Sequence, residues 1–363
     1  VTKKGKGHSK AEEDPASWHG VAPTPAVAAC DSPDSAESPP DSRTLQPSFT
    51  QAFGAAMLCA AENDSRIVAV TAAMAKGTGL TAFQSTFPAR LFDVGIAEEH
   101  AVTFAAGMAA GGLKPVVAIY STFMQRAVDQ VIHDVALGRL PVVFALDRAG
   151  AVPDDGETHQ GIYDIQIFRG VPGLSILAPA SAAELSLTLQ WALGYDGPSM
   201  IRYPKALCPP ERPAYLQPLE YGRGVFVRRG EGGADIVLIG SGALTEECVA
   251  AAGLLERQGL DADVYNLRFL KPVDTQIFLS VVRDYRYALI AEEGILEGSV
   301  AVDLATLAGS NGVRSLALGF RDVPKSQAGR AELLRHAGLS AERLAGSAMD
   351  LVRGAGVGKD VSA

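Results

Sequence analysis

Residues 114–148 read KPVVAIYSTFMQRAVDQVIHDVALGRLPVVFALDR. After Lys114, the next six are an apolar run with no polar alternation, as expected of a strand covered on both faces. A segment with apolar residues at Phe123, Ala127, Val131 and Val135 follows. That spacing of four predicts an amphipathic helix, with Ser121 as its N-terminal cap. LPVVFALDR is a second buried-strand run. Two parallel strands need a long crossover between them, and a helix of this length supplies it. The stretch therefore predicts a strand–helix–strand unit of a parallel sheet.

The same pattern extends in both directions. Upstream, SFTQAFGAAMLCAAEN has helical spacing, RIVAVTAAM is a strand ending in the turn KGTG, and AEEHAVTFAAGMAAGG is a helix closed by glycines. Downstream, LSILAP and SMIRYP are strands, and the proline-rich KALCPPERPAYLQP follows. A second block then has strands in GRGVFVRRG, ADIVLIGSG, ADVYNLRFL, YALIAEEG and RSLALGF. Between them lie the helices TEECVAAAGLLERQG, DTQIFLSVVRDY and one around VAVDLATLAG. The expectation is an α/β protein of two tandem domains, residues 47–205 and 223–363, each a mostly parallel sheet flanked by helices, joined by a linker at 206–222. Residues 1–46, with the basic VTKKGKGHSK and then CDSPDSAESPPDSR, have little to bury and predict an extended connection.

Composition narrows the function. The chain has 363 residues and is 47% hydrophobic, enough for two cores. A net charge of −9 argues against nucleic acid or an anionic membrane as the partner. No apolar run has the length of a membrane span, and no signal-peptide core is present. Cys30, Cys59, Cys208 and Cys248 lack metal-ligand spacing and are too few for a disulfide scaffold, which predicts buried, reduced thiols in a cytoplasmic protein and no metal site in this sequence.

Parallel α/β sheets bind ligands at the carboxyl ends of their strands. Four such ends carry chemistry here: Glu98 after LFDVGIA, then Tyr120, Phe123 and Arg126, then Arg148, Asp155 and His159, then Arg202 and Lys205. Singly, each has a plain reading. Glu98 or Glu99 could serve the helix dipole, His100 and His133 could lie on helix surfaces, and the arginines could form surface ion pairs. The turn GSGALTEE, Gly240–Glu247, could cradle a phosphate or simply connect a strand to a helix. Four charged or aromatic loops at one end of one sheet favour a site.

From about Leu91 to Pro204, the runs FDVGIAEEHAVTFAAGMAAGGLKPVVAIYSTFMQRAVDQVIHDVALGRLPVVFALDRAG, DGETHQGIYD and IRYPK resemble the 1-deoxy-D-xylulose-5-phosphate synthase family, thiamine-diphosphate enzymes related to transketolase. VTAAMAKGTGL, RFLKPVD and RAELLRHAGLS extend the likeness more loosely, and VTKKGKG and WHGV look like the exit of that family's first domain. The resemblance implies a cytoplasmic homodimeric transferase that condenses pyruvate with glyceraldehyde 3-phosphate, with loss of CO2, at the head of isoprenoid-precursor synthesis. It implies thiamine diphosphate and Mg2+ as cofactors. Glu98 would bond a pyrimidine ring nitrogen and favour the imino tautomer, with Tyr120, Phe123 and Arg126 around the ring. His159 would serve proton transfer with Asp155 beside it. Arg148, Lys205 and, more weakly, Arg202 would hold the acceptor phosphate.

The sequence departs from the family in several places. No GDG diphosphate-binding element occurs upstream of Glu98, so the chain is expected to supply the second and third domains of such an enzyme and to be inactive alone. RYPKA stands where relatives read RYPRG, which puts Lys205 in place of an arginine and removes a bidentate fork. The loop GAVPDDGETHQ carries Pro153 and an extra acid, and EEGILEGSVAVDL lacks glycines that the family has after its two glutamates. The other readings are a β-type subunit of a split transketolase or 2-oxo-acid dehydrogenase, and a non-enzymatic dimer scaffold.

Overall fold

The computed structural model describes residues 6–13, 46–230, 233–322 and 327–354. The chain divides into a unit Val1–Leu45 and a unit Gln46–Ala363. In the first, the described residues hold one short helix, Ser9–Glu13. The extended connection expected for residues 1–46 lies mostly outside the described residues, as does Cys30.

The second unit contains two sheets. Its strands are β1 (Ile67–Thr71), β2 (Leu91–Asp93), β3 (Lys114–Tyr120), β4 (Val143–Asp147), β5 (Ser175–Leu177), β6 (Ser199–Arg202), β7 (Val225–Arg228), β8 (Ile236–Gly240), β9 (Ala262–Asn266), β10 (Phe269–Lys271), β11 (Tyr287–Ile295) and β12 (Arg314–Phe320). The first sheet runs β10-β5-β6-β4-β3-β1-β2 and the second β12-β11-β8-β9-β7. Each is parallel apart from one antiparallel strand, β10 in the first and β7 in the second. The opening stretch forms the β3–β4 parallel pair, Val116 to Tyr120 against Val143 to Asp147.

Helix Phe49–Asn63 shows how the cores are built. Ser48 caps it by accepting from the Gln51 amide at 3.2 Å, and the Gln51 side chain accepts from the Ser48 amide at 2.8 Å. Phe49, Phe53, Met57 and Ala61, one turn apart, point into the core that covers one face of the first sheet. Burial of each large side chain contributes about 1.5–3 kcal/mol. The core on the other face joins Val117, Ile119 and Phe144 of the first sheet to Val237, Ile239 and Ile290 of the second.

The second block does more than follow the first. ADVYNLRFL, read as one strand, is two. Backbone at Arg268 is left-handed, with φ +58°, and the chain leaves β9 in the second sheet to enter the first as β10, pairing Phe269 with Leu177. Arg268 is buried and donates to Glu184 at 2.6 Å and to the carbonyls of Ala214 and Pro218. Asn266 binds the same Glu184. This junction forms under strands that sequence reading assigned to separate domains.

Two further expectations change. The segment after β3 is not one regular helix: an α turn at Ser121–Met124, a 3-10 turn at Gln125–Ala127, an α turn at Val128–Gln130 and a π turn at Val131–Ala136 succeed one another. Ser121 makes no capping bond. Of the cysteines, Cys208 and Cys248 are buried free thiols, but Cys59 is exposed.

Candidate active site

At the carboxyl end of β2 the chain turns through Gly95 into helix Glu98–Ala110. Glu98 is 2% exposed, whereas Glu99 and His100 face outward, the latter stacked on Phe104. The buried carboxylate accepts from Arg126 Nη1 at 2.5 Å. The 3-10 turn at Gln125–Ala127 brings Arg126 back over this helix start. Irregular turns of this kind within a helix mark positions where a side chain is re-aimed.

Tyr120, the last residue of β3, stacks on Phe123 with ring centroids 5.8 Å apart, and Arg126 lies 4.9 Å over the Phe123 ring. Gly77, in the turn KGTG, makes room for Tyr120: a Cβ there would fall 1.7 Å from the phenol oxygen. Burial pushes the Tyr120 hydroxyl pKa upward. The Arg148 guanidinium lies 3.8 Å from the centroid of the Tyr120 ring.

Arg148 opens a loop closed by Gly161. Gly150 and Gly161 exchange backbone bonds at 2.6 and 3.0 Å, and the Gln160 amide bonds both backbone groups of Val152 at 2.9 Å. Arg148 and Asp154 hold left-handed backbone at φ +60° and +69°, the kind of conformation that clusters at functional sites. Asp155 Oδ2 accepts from Lys205 Nζ at 3.0 Å and lies 3.5 Å from Arg148 Nη1. Lys205 also donates to the Pro153 carbonyl at 3.3 Å. His159 meets Phe123 edge to face at 5.5 Å, and its Nδ1 lies 3.1 Å from the Thr158 hydroxyl.

Eight of the nine candidates thus form one chain of contacts, from Glu98 through Arg126, Phe123 and Tyr120 to Arg148, Asp155 and Lys205, with His159 on Phe123. The ninth does not. Arg202 is buried; it donates to Asp164 at 2.9 and 3.2 Å and to the Glu293 carbonyl at 2.9 Å. Its Nε and Nη2 tie β6 to Asp164 and to the β11 backbone, which sets it apart from the other eight. In the GSGALTEE turn, Gly242 holds left-handed backbone at φ +57°, and a Cβ there would fall 3.3 Å from the Ala178 Cβ. The missing glycines after Glu293 do not disturb the next helix, Val300–Ser310, which Ser299 caps.

Sequence reading missed residues behind the loop. Asp147 is fully buried, accepts from the Thr50 hydroxyl at 2.7 Å, and has its pKa pushed up to about 7 by burial. Its Oδ1 has no hydrogen-bond partner among the described residues. Glu293 and Arg330, from the second block, bind the loop at Ala151.

The arrangement offers a buried carboxylate beside an aromatic shelf, and beyond it two cations sharing one acid near a histidine. The first part fits an aromatic heterocycle that needs a hydrogen-bonding carboxylate at one edge. The second fits a phosphorylated substrate. Among the described residues no group of three or more His, Cys, Asp or Glu could hold a metal ion.

Residues 46–211 match the family model for the transketolase pyrimidine-binding domain, and residues 224–344 that for the transketolase C-terminal domain. The chain belongs to the transketolase family. Its curated relatives include the 1-deoxy-D-xylulose-5-phosphate synthase of Treponema pallidum, 51% identical over 96% of this chain and 54% of that protein. The synthase of Desulforudis audaxviator is 44% identical over 89% of this chain and 50% of that protein. The chain thus spans about half the length of the curated relatives it matches. Among solved structures, a split-gene transketolase described as an inactive β4 tetramer superposes with a TM-score of 0.75 at 26% identity, over 85% of this chain and 99% of that one. A Pichia stipitis transketolase shares the fold, with a TM-score of 0.71 at 20% identity over 86% of this chain and 46% of that one.

Proposed function

We propose that this chain supplies the pyrimidine-binding and C-terminal domains of a 1-deoxy-D-xylulose-5-phosphate synthase, joining pyruvate and glyceraldehyde 3-phosphate with loss of CO2. The observation that carries the reading is the continuous path from buried Glu98 to the Arg148–Asp155–Lys205 cluster, in a chain 51% identical to one such synthase. Thiamine diphosphate, when bound, supplies the carbanion-stabilising centre that side chains lack. Glu98 would hold a pyrimidine ring nitrogen and set the tautomer, with Tyr120 and Phe123 shaping the ring's pocket and Arg126 bracing the carboxylate. Arg148 and Lys205 would bind the acceptor phosphate. His159, held beside Phe123, would move a proton at the reacting carbons. Diphosphate and Mg2+ would be held by residues other than those described.

The assembly would be a homodimer acting in the cytoplasm, and its product would feed isoprenoid precursors. A second reading, a subunit of a split transketolase, is favoured by the superposition that covers 99% of the split-gene chain. Calorimetric titration with thiamine diphosphate plus Mg2+, alone and with a separate diphosphate-binding domain, tests the first reading. Binding only with that domain, followed by 1-deoxyxylulose 5-phosphate from pyruvate and glyceraldehyde 3-phosphate, supports it. Turnover of ketose-phosphate donors instead would move the assignment to the split transketolase, and tight binding by the chain alone would refute the division of labour.

A further inference from the structure

The loop that carries Arg148, Asp155 and His159 is not held by its own domain alone. Ala151 lies at its base, and both backbone groups of that residue are taken by side chains from the second block. The Ala151 amide donates to Glu293 Oε1 at 2.7 Å, and the Ala151 carbonyl accepts from Arg330 Nη1 at 3.1 Å. Glu293 and Arg330 are themselves paired through both carboxylate oxygens, with Arg330 Nη2 to Glu293 Oε2 at 2.6 Å. Glu293 is 4% exposed. Gly150 lies so close that a Cβ there would fall 2.2 Å from Glu293 Oε1. Farther out, the Asp154 amide reaches the Ala328 carbonyl at 3.4 Å, and Gly156 lies against Gln327.

A planar guanidinium paired with a carboxylate in this way is a rigid two-point fixture, and such pairs are strong and directional. Here it grips one peptide on both sides. The Arg148 and Asp155 side chains leave the loop within a few residues of that grip, so a small shift at Ala151 displaces the groups that face a substrate. A displacement of about 1 Å in a positioning element can cost about a hundredfold in rate.

We propose that Glu293 and Arg330 are positioning residues by which the C-terminal domain sets the loop 148–161 for the phosphate-bearing acceptor. The inference rests on the functional reading above. Glu293 and Arg330 touch no substrate; they act through Ala151 on Arg148 and Asp155.

The test uses E293Q, R330M and R330K in the full chain, with hydrogen–deuterium exchange read on peptides covering 148–161 and on peptides of β1 and β8. The same variants are assayed after a diphosphate-binding domain, thiamine diphosphate and Mg2+ are supplied. E293Q and R330M should raise exchange in the loop about tenfold and leave the two strands unchanged. They should raise KM for glyceraldehyde 3-phosphate about tenfold and KM for pyruvate less than twofold. R330K, which keeps the charge and loses the fork, should fall between parent and R330M. Unchanged loop exchange, a uniform rise across the chain, or equal changes in both KM values would overturn the inference. If the parent assembly makes no product from these substrates, the functional reading and the acceptor half of the inference fall together. The exchange result would still decide for or against the clamp.

Discussion

Replacing Asp147 by Asn should make the chain's stability less dependent on pH, with a size that follows from its surroundings. Asp147 is fully buried, one residue before Arg148, and its pKa is raised from 3.8 to about 7 chiefly by burial; the Thr50 hydroxyl bond and the charges of Arg148 and Lys205 offset part of that. Because the folded value exceeds the unfolded one, the associated stability is complete below pH 3.8 and lost as pH rises through about 7. At about 1.4 kcal/mol per unit the full effect is about 4 kcal/mol, of which about 2.5 kcal/mol falls between pH 5 and pH 8. Asn is neutral throughout and keeps an acceptor for Thr50. Any constant cost of its amide cancels when variant and parent are compared at two pH values. Glu292, also buried and raised to about 7, contributes equally to both. With a urea slope of about 3 kcal/mol/M, the D147N midpoint should gain about 0.8 M on the parent's between pH 5 and pH 8. Urea titrations followed by tryptophan fluorescence measure it. Midpoints that stay parallel across that range would show that Asp147 ionises normally and that its burial has been misread.

Three other outcomes are expected. Glu98→Gln, tested in the assembly supplied with thiamine diphosphate, should lower kcat by a hundredfold or more while the thermal midpoint moves by only a few degrees. Gly77→Ala should cost about 1–3 kcal/mol in urea titration, because its Cβ meets the Tyr120 hydroxyl; adding Tyr120→Phe should recover part of the loss. Arg268→Ala should cost about 3–5 kcal/mol by the same measurement, since it leaves Glu184 buried without its cation.

Much of this was legible in the sequence because it is local. Strands covered on both faces read as unbroken apolar runs, and every residue of β1, β4, β8 and β9 is buried. Glu98 was singled out by the family resemblance, since EEH at a helix start does not by itself say which acid is buried; the structure buries the first and turns its neighbours outward. What failed was non-local. Three residues, Phe269 to Lys271, could not announce that they pair with β5, about ninety positions upstream. Arg202 reads as a site arginine until Asp164 and Glu293 come beside it. Glu293 and Arg330 carried no signal of their own, because the peptide they hold belongs to another part of the chain.

The crossing of β10 changes where this protein can be cut. The proline-rich linker looks like the natural place to separate two domains, yet a fragment ending there would lack the outer strand of its own sheet. Its β5 would then present open hydrogen-bonding groups, a template for adding a foreign strand. Two such fragments, or a fragment and an intact copy, would have a ready way to exchange strands, and aggregation would follow the same route. A cut beyond Lys271 keeps β10 but divides the second sheet, leaving β7, β8 and β9 on one side and β11 and β12 on the other. The two halves are joined as a dovetail, so neither can be withdrawn without leaving the other open.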